Sequence, residues 1–361
     1  MDAAREVVNL PAGRKVVVST LAAEPLAAIE QASLVAMPAP DRARLSSRDV
    51  IVAVASASVG WVDLLMMTGQ YQHAAKPPYT PGLEYAGTIA WAGAESAIGV
   101  GERVLVDPFL AGPRSLGAYQ NHGGLATYAV APAEAVHRIP GELSCDEACN
   151  LLGNYETAYH CLVTRGRVQR GETVLVHGAS GSVGLAAVHV AKLLGATVIA
   201  TGRSRAKLAV VAAQGADHVV VTDTPLRDRI KALTQGRGVD VVYDGVGGEL
   251  SVESLRCVRF GARYLIVGWA ATPFVTRTQA NVLPTNLMMM KGLDVLGCPT
   301  AISTVHDPAS RAPRLAQVMT WAAAGQIRPL VSRRYALDEF ADAMRAKWHG
   351  ELVGGIVVRP A

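Results

Sequence analysis

Three glycines, Gly178, Gly181 and Gly184, punctuate the stretch VLVHGASGSVGLAAVHVAKLLGA at the spacing that cradles a pyrophosphate. Gly181 lets the backbone approach the phosphates and Gly184 lets the following helix pack on its strand. The helix N-terminus turns free N–H groups and its dipole to the anion. The whole turn, Gly178, Ala179, Ser180, Gly181, Ser182, Val183 and Gly184, is therefore a candidate dinucleotide loop. About 20 residues further on, a carboxylate would bind the ribose 2′-hydroxyl of NAD, but the strand TVIAT ends instead in Gly202, Arg203, Ser204 and Lys207. Cations and a hydroxyl there suit a 2′-phosphate, so the expected cofactor is NADPH. Taken singly, Arg203 and Lys207 also read as a solvated helix start, and Arg205 is assigned to that surface. Further candidates lie at the carboxyl ends of later strands, Gly245 and Val246 in DGVG and Val267 and Gly268 in IVGW, on the edge where open α/β sheets bind ligands.

These residues need a sheet to hold them. From Glu172 onward the apolar strands TVLVH, TVIAT, HVVV, DVVYD, RYLIVG and LDVLG alternate with helix-length segments, which predicts an α/β Rossmann doubly wound parallel sheet. From Met1 to about Gly153 the runs VVVST, DVIVAVASA, GTIAWAG, RVLVDPF and ATYAV are short and broken by Gly and Pro, which predicts a β-rich module. A closing pair of helices, around 314–324 and 337–348, followed by VGGIVVRP, is expected to return to that module. The expected domains are residues 1–153 with 300–361, and residues 154–299.

Composition narrows the class. The chain has 361 residues, half of them hydrophobic and 18% charged, enough for two cores and too apolar for disorder. Its net charge of +4 is spread without a basic block, so no nucleic-acid partner is expected. Five scattered cysteines with no C-x-x-C pair argue against a disulfide framework and for a reducing compartment. Cys145 and Cys149 have helical spacing, but no histidine follows at metal-ligand distance, and packing is the simpler reading. His177 and the pair Tyr155 and Tyr159 are assigned to packing or local hydrogen bonds, and NLMMMKG (286–292) to a core helix. With no apolar leader segment and no stretch of about 18 uncharged apolar residues, a cytoplasmic location is expected.

The segments VGWVDLLMMTGQY…PPYTPGLEYAG, GERV, GGLATYAV, NYETAYHCL and the glycine loop together resemble the medium-chain dehydrogenase/reductase superfamily over almost the whole chain. The resemblance implies that the β-rich module is a GroES-like catalytic domain. In the zinc alcohol dehydrogenases of that superfamily, the segment matching PGLEYAG carries a metal-binding histidine where this chain has Leu83. The cysteine ligand expected near SVGWVDLL is absent too, and residues 107–122, where a structural zinc lobe would lie, contain no cysteine. The expectation is therefore no zinc, and likeness to the zinc-independent quinone oxidoreductase, enoyl reductase and alkenal reductase branch, with Glu84 structural. That branch implies hydride transfer from NADPH to a small-molecule quinone, enone or enoyl thioester.

By the same resemblance, residues 60–71 line the nicotinamide cleft, and Tyr71 either donates a proton to the acceptor or packs a loop. Many quinone oxidoreductases have asparagine and tyrosine at the positions of Gly60 and Leu65, which points here to a roomier, less polar pocket. Asn154 and Thr157 fall where the family passes the nicotinamide, whereas Thr222 and Gly355 replace a tyrosine and a lysine that often contact cofactor. Family members commonly form homodimers through the strand matching LDVLGC (293–298), and such a dimer is expected here. The rival reading is a non-catalytic NADPH-binding or RNA-binding protein of the zeta-crystallin type, although no basic surface with interleaved aromatics supports it.

Overall fold

A computed structural model describes residues 10–73, 75–115, 117–270 and 282–360; residues 1–9, scanned for a leader segment, lie outside the described residues. An antiparallel pair, β1 (Gly13–Val17) and β2 (Ser33–Met37), precedes a β-rich layer built from β3 (Asp49–Ser58), β4 (Tyr85–Ala92), β5 (Arg103–Val106), β6 (Tyr128–Pro132) and β7 (Val136–Arg138). The near-continuous apolar run of β3 has a simple cause. It is the central strand, with β4 along one edge and the other edge shared between β6 at residues 49–53 and the chain's last strand at residues 57–58.

The alternating region gives β8 (Thr173–Val176), β9 (Thr197–Gly202), β10 (His218–Val221), β11 (Val239–Asp244), β12 (Val258–Ile266) and β13 (Asp294–Gly297). These strands form one all-parallel sheet in the order β10-β9-β8-β11-β12-β13. The strand order reverses between β8 and β11, and a ligand crevice is expected at their carboxyl ends. Both faces are covered, one by the cluster that includes Val174, Val176, Leu185 and Val188 and the other by Leu175, Ile199, Val242 and Tyr264. Parallel strands buried on both faces read as continuous apolar runs, as these do.

Seven helices matter for the site: α1 (Trp61–Met67), α2 (Leu152–Tyr159), α3 (Ser182–Leu193), α4 (Arg205–Ala213), α5 (Thr285–Lys291), α6 (Arg311–Ala323) and α7 (Phe340–His349). The closing strands β14 (Val331–Ala336) and β15 (Gly355–Arg359) return to the first layer, giving the order β14-β15-β3-β4-β5-β7 with β6 paired to β3. The fold is thus a doubly wound parallel sheet joined to a β-rich GroES-like unit. Of the closing helices, α7 packs with the β-rich core, whereas Val318 and Ala322 of α6 belong to a core cluster that also holds Ala86, Leu105 and Val357 of the β-rich layer. That cluster runs from one sheet to the other.

One expectation fails. Helix α5, which carries Met288, Met289 and Met290, has no buried residue, and Met289 and Met290 are 74% and 65% exposed. The helix packs against β12 on one face of the sheet, where Leu287 and Met288 join the apolar cluster, while Met289 and Met290 face away.

Candidate functional site

The glycine loop connects β8 to α3 at the predicted place. Gly178 has φ of +62°, a left-handed conformation that favours glycine, and a Cβ on Gly184 would stand 2.3 Å from the Gly178 carbonyl oxygen. The first bond of α3 runs from the Leu185 N–H to the Gly181 carbonyl at 2.8 Å, which leaves the amides of Ser182, Val183 and Gly184 without backbone partners. The closing segment docks directly on this loop. Gly354 donates its N–H to Ser180 O at 2.8 Å and accepts from Ser182 Oγ at 2.8 Å. The Lys347 ammonium, from α7, donates to the same Ser182 hydroxyl at 3.1 Å. Burial holds the Lys347 amine below its ordinary value, at about 8, against the opposing pull of Asp63 and Glu84. Lys347 was not legible as a site residue, because only the docking of α7 brings it there.

At the end of β9, Ser204 caps α4 by accepting from the Lys207 N–H at 3.4 Å, and the Lys207 ammonium bonds the Gly350 carbonyl. A Cβ on Gly350 would lie 3.9 Å from Arg203 Nη2, so Arg203 and Lys207 converge on one spot. Burial, and then the neighbouring Arg203 charge, hold the Lys207 amine below its ordinary value. Two cations that crowd each other in this way favour an anion between them.

The loop after β11 is organised by Asp244, whose carboxylate accepts from the amides of Val246 and Gly247 and from the Tyr264 hydroxyl at 2.6 Å. A Cβ on Gly245 would meet nothing within 4 Å, which leaves open space at the crevice. The amides of Val267 and Gly268 already donate to Asp244 O, so among their backbone groups only the carbonyls remain for a ligand. On α2, Asn154 donates one amide hydrogen to Asn150 O at 2.8 Å and Thr157 its hydroxyl hydrogen to Gly153 O at 2.7 Å, which leaves the second Asn154 N–H and the side-chain oxygens of both for a ligand. Tyr155 is buried and shares a 2.7 Å hydrogen bond with His189, and His177 lies between Thr201 and Ser254, so these residues pack as expected.

At the acceptor end, Asp63 ties the segment 60–65 to the segment 81–87. Its carboxylate accepts from the amides of Gly60 at 2.9 Å, Gly82 at 3.0 Å and Leu83 at 3.1 Å. Leu83 is 5% exposed and offers an alkyl group where a ligand atom would be needed. Glu84 bonds the Gly153 amide at 2.6 Å, at the start of α2, where a Cβ on residue 153 would be 2.5 Å from the carboxylate. Burial pushes the Glu84 carboxyl up to about 7 and Asp63 to about 6, with the Arg114 charge working against the rise in both. Tyr71 is half-buried, its ring 6.0 Å from that of His73, edge on, and its hydroxyl has no partner among the described residues. Among those residues no three of His, Cys, Asp and Glu gather as a metal site.

The raised Glu84 value sets a pH dependence. In the folded protein its proton is held up to about pH 7, against an ordinary 4.5, so the folded state binds more protons across that window. Stability is therefore full below about pH 4.5 and falls as pH rises through 7. We expect Glu84→Gln, which keeps an acceptor for the Gly153 amide, to gain up to about 3 kcal/mol relative to the parent between pH 5 and 8. Urea midpoints at the two pH values test this, and parallel curves would show that Glu84 ionises freely.

The comparisons bear on this arrangement. Residues 46–141 match the alcohol dehydrogenase GroES-like domain family and residues 182–309 match the zinc-binding dehydrogenase family. Quinone oxidoreductase of Lama guanicoe is 30% identical over 325 residues, 90% of this chain and 91% of its own. Quinone oxidoreductase-like protein 2 homolog of Nematostella vectensis is 29% identical over 317 residues, covering 87% and 82%. Among solved structures, a probable oxidoreductase from Mycobacterium abscessus has a TM-score of 0.80 at 27% identity, over 97% of this chain and 100% of its own. A mycobacterial protein solved with NADPH has the same fold, with a TM-score of 0.78 at 24% identity over 96% of this chain and 100% of its own. A dinucleotide-type sheet facing a GroES-like unit across a glycine loop defines an oxidoreductase. The chain belongs to the medium-chain dehydrogenase/reductase superfamily, on its quinone oxidoreductase branch.

Proposed function

We propose that this oxidoreductase is zinc-independent and uses NADPH to reduce a conjugated acceptor, a quinone, enone or enoyl thioester. The observation that carries the reading is Leu83, buried at 5% exposure with its amide held by Asp63, at the position where zinc relatives have a histidine. A site without that ligand must stabilise charge on the substrate by hydrogen bonds and delocalisation, and conjugated acceptors allow both.

The residues present fit the cofactor. The free amides of Ser182, Val183 and Gly184 receive the pyrophosphate, with Gly178, Ala179, Ser180 and Gly181 shaping the turn. The cations of Arg203 and Lys207, with Ser204 and Gly202, receive the 2′-phosphate. Gly245 and Val246, with the carbonyls of Val267 and Gly268, line the crevice, and the oxygens of Asn154 and Thr157 accept from the nicotinamide side. When bound, the nicotinamide supplies a hydride to an electron-poor carbon. Tyr71, whose hydroxyl has no partner among the described residues, is the candidate proton donor. The cleft between the two units excludes water and holds the reactants together. A homodimer through β13 completes the reading, since β13 is the terminal strand of its sheet and Met289 and Met290 stand exposed on the helix before it.

Oxidation of NADPH and NADH, followed by absorbance after EDTA treatment against quinones, enones and enoyl thioesters, tests the proposal. Chelator-resistant turnover that favours NADPH by about 10-fold or more is the expected result. Tight NADPH binding with no turnover of any acceptor would transfer the protein to a binding role, and loss of activity restored by zinc would overturn the zinc-free reading.

A further inference from the structure

Residues 107–122 carry a single lysine or arginine, Arg114. Gly112, two residues before it, lies against the site: a Cβ there would be 3.6 Å from Leu83 O and 3.8 Å from the Tyr85 ring. Arg114 stacks on the Phe109 ring at 4.1 Å, and the same ring carries Arg311 at 4.5 Å. Arg311 is itself anchored by Glu156 at 2.8 Å and Asp107 at 2.5 Å, and Asp107 also holds the Phe109 amide at 2.8 Å. The plane beneath Arg114 is therefore fixed.

What it does with that position is unusual. Its Nε and Nη2 atoms are buried and have no hydrogen-bond partner among the described residues, although Asp63 and Glu84 both lie within its field. Buried donors without partners are rare and costly, and they recur where a ligand completes the bond. Nε and Nη2 form one edge of the guanidinium, two parallel N–H vectors that match the two oxygens of a carboxylate. His73 Nε2, on the Tyr71 loop and also in the field of Arg114, is a further buried nitrogen with no partner among the described residues.

We propose that Arg114 is the receptor for a carboxylate carried by the conjugated acceptor, which rests on the reductase reading and narrows its substrate class to acceptors with a free acid near the reducible bond. The charge count favours an anion. Asp63, held by three amides, is the one negative charge when Glu84 is protonated, and against it the two cations Arg114 and Lys347 leave one positive charge in excess.

The test uses a matched pair, trans-4-oxopent-2-enoate and its methyl ester, with the parent chain, Arg114→Gln and Arg114→Lys. NADPH binding by fluorescence reports that each variant is folded. The ester is the more electrophilic of the two, so intrinsic reactivity works against the expected result. We expect the parent to prefer the carboxylate by about 100-fold in kcat/KM, Arg114→Gln to bring the ratio to about 1, and Arg114→Lys, a point charge without the fork, to fall between. A parent ratio near 1, or a ratio that survives Arg114→Gln, overturns the proposal. If neither acceptor is turned over, calorimetry of oxopentenoate against the NADP⁺ complex separates the two readings. Binding that Arg114→Gln abolishes keeps the receptor and sinks the reductase, and no binding by the parent sinks the receptor.

Discussion

Glu156→Gln destabilises the fold by about 3–5 kcal/mol, the expected consequence of leaving buried guanidinium groups without their counter-charge. Glu156 sits on α2 at 2% exposure and holds Arg311 at 2.8 Å and Arg314 at 3.1 Å, both themselves buried. With Glu156 neutralised, Arg314 is left with neutral partners, among them Thr304 at 2.7 Å, and Arg311 keeps one carboxylate, Asp107. Helices α2 and α6, the helix Thr300–His306 that carries Thr304, and the loop of Asp107 meet at these charges, so the loss spreads: α6 loosens from α2, and Phe109, fixed between Asp107 and Arg311, loosens with it. Chemical denaturation measures the stability. A loss below about 1 kcal/mol would show that water reaches the guanidinium groups and screens them as at a surface. The same variant tests the proposed role of Phe109 as the floor for Arg114, because carboxylate preference should weaken while NADPH affinity holds. Acid pH probes the other counter-ion. Burial alone would raise the Asp107 carboxyl, but the nearby His137 ring, 3.9 Å away, and the Arg311 guanidinium bonded to it at 2.5 Å hold it at about 2, so its stabilising contribution is present above the ordinary carboxylate range and is lost only as pH falls toward 2.

How much of this was legible in the sequence depends on the range of the interaction. The six parallel strands and the glycine loop are local patterns, an apolar run, a tight turn and a helix start, and the structure reproduces them strand for strand. Leu83 was legible because it departs from a local motif. Arg114 and Lys347 were not, since each reaches the site only through docking, one by a loop laid against Leu83 and the other by a helix set on the phosphate loop. Glu156 shows the limit most plainly. It lies between Asn154 and Thr157, which were singled out, yet its side chain points to partners 155 and 158 residues later in the chain. The methionine run of α5 misleads for the converse reason, because apolar composition does not say how much of a helix its sheet covers.

The second large effect separates two glycines that the motif treats alike. Gly184→Ala places a methyl group 2.3 Å from the Gly178 carbonyl oxygen and 2.9 Å from the Ala179 Cα, and both obstacles are backbone that cannot turn aside. Helix α3 must move off β8, so we expect a loss of about 2–4 kcal/mol in stability together with about 100-fold weaker NADPH binding. Gly181 differs. Its φ is −75°, open to any residue, and the nearest atom to an added Cβ is Gly178 O at 3.4 Å, an ordinary contact. Gly181→Ala should therefore fold like the parent, within about 0.5 kcal/mol, and still bind NADPH about 10–100-fold more weakly, because the space its methyl fills is the space through which the pyrophosphate approaches. Thermal unfolding and fluorescence titration of both variants decide the matter. If Gly181→Ala binds NADPH as the parent does, the phosphates do not pass over this residue, and the free amides of Ser182, Val183 and Gly184 serve some other anion; if it unfolds with Gly184→Ala, the loop is a packing device first and a cradle second.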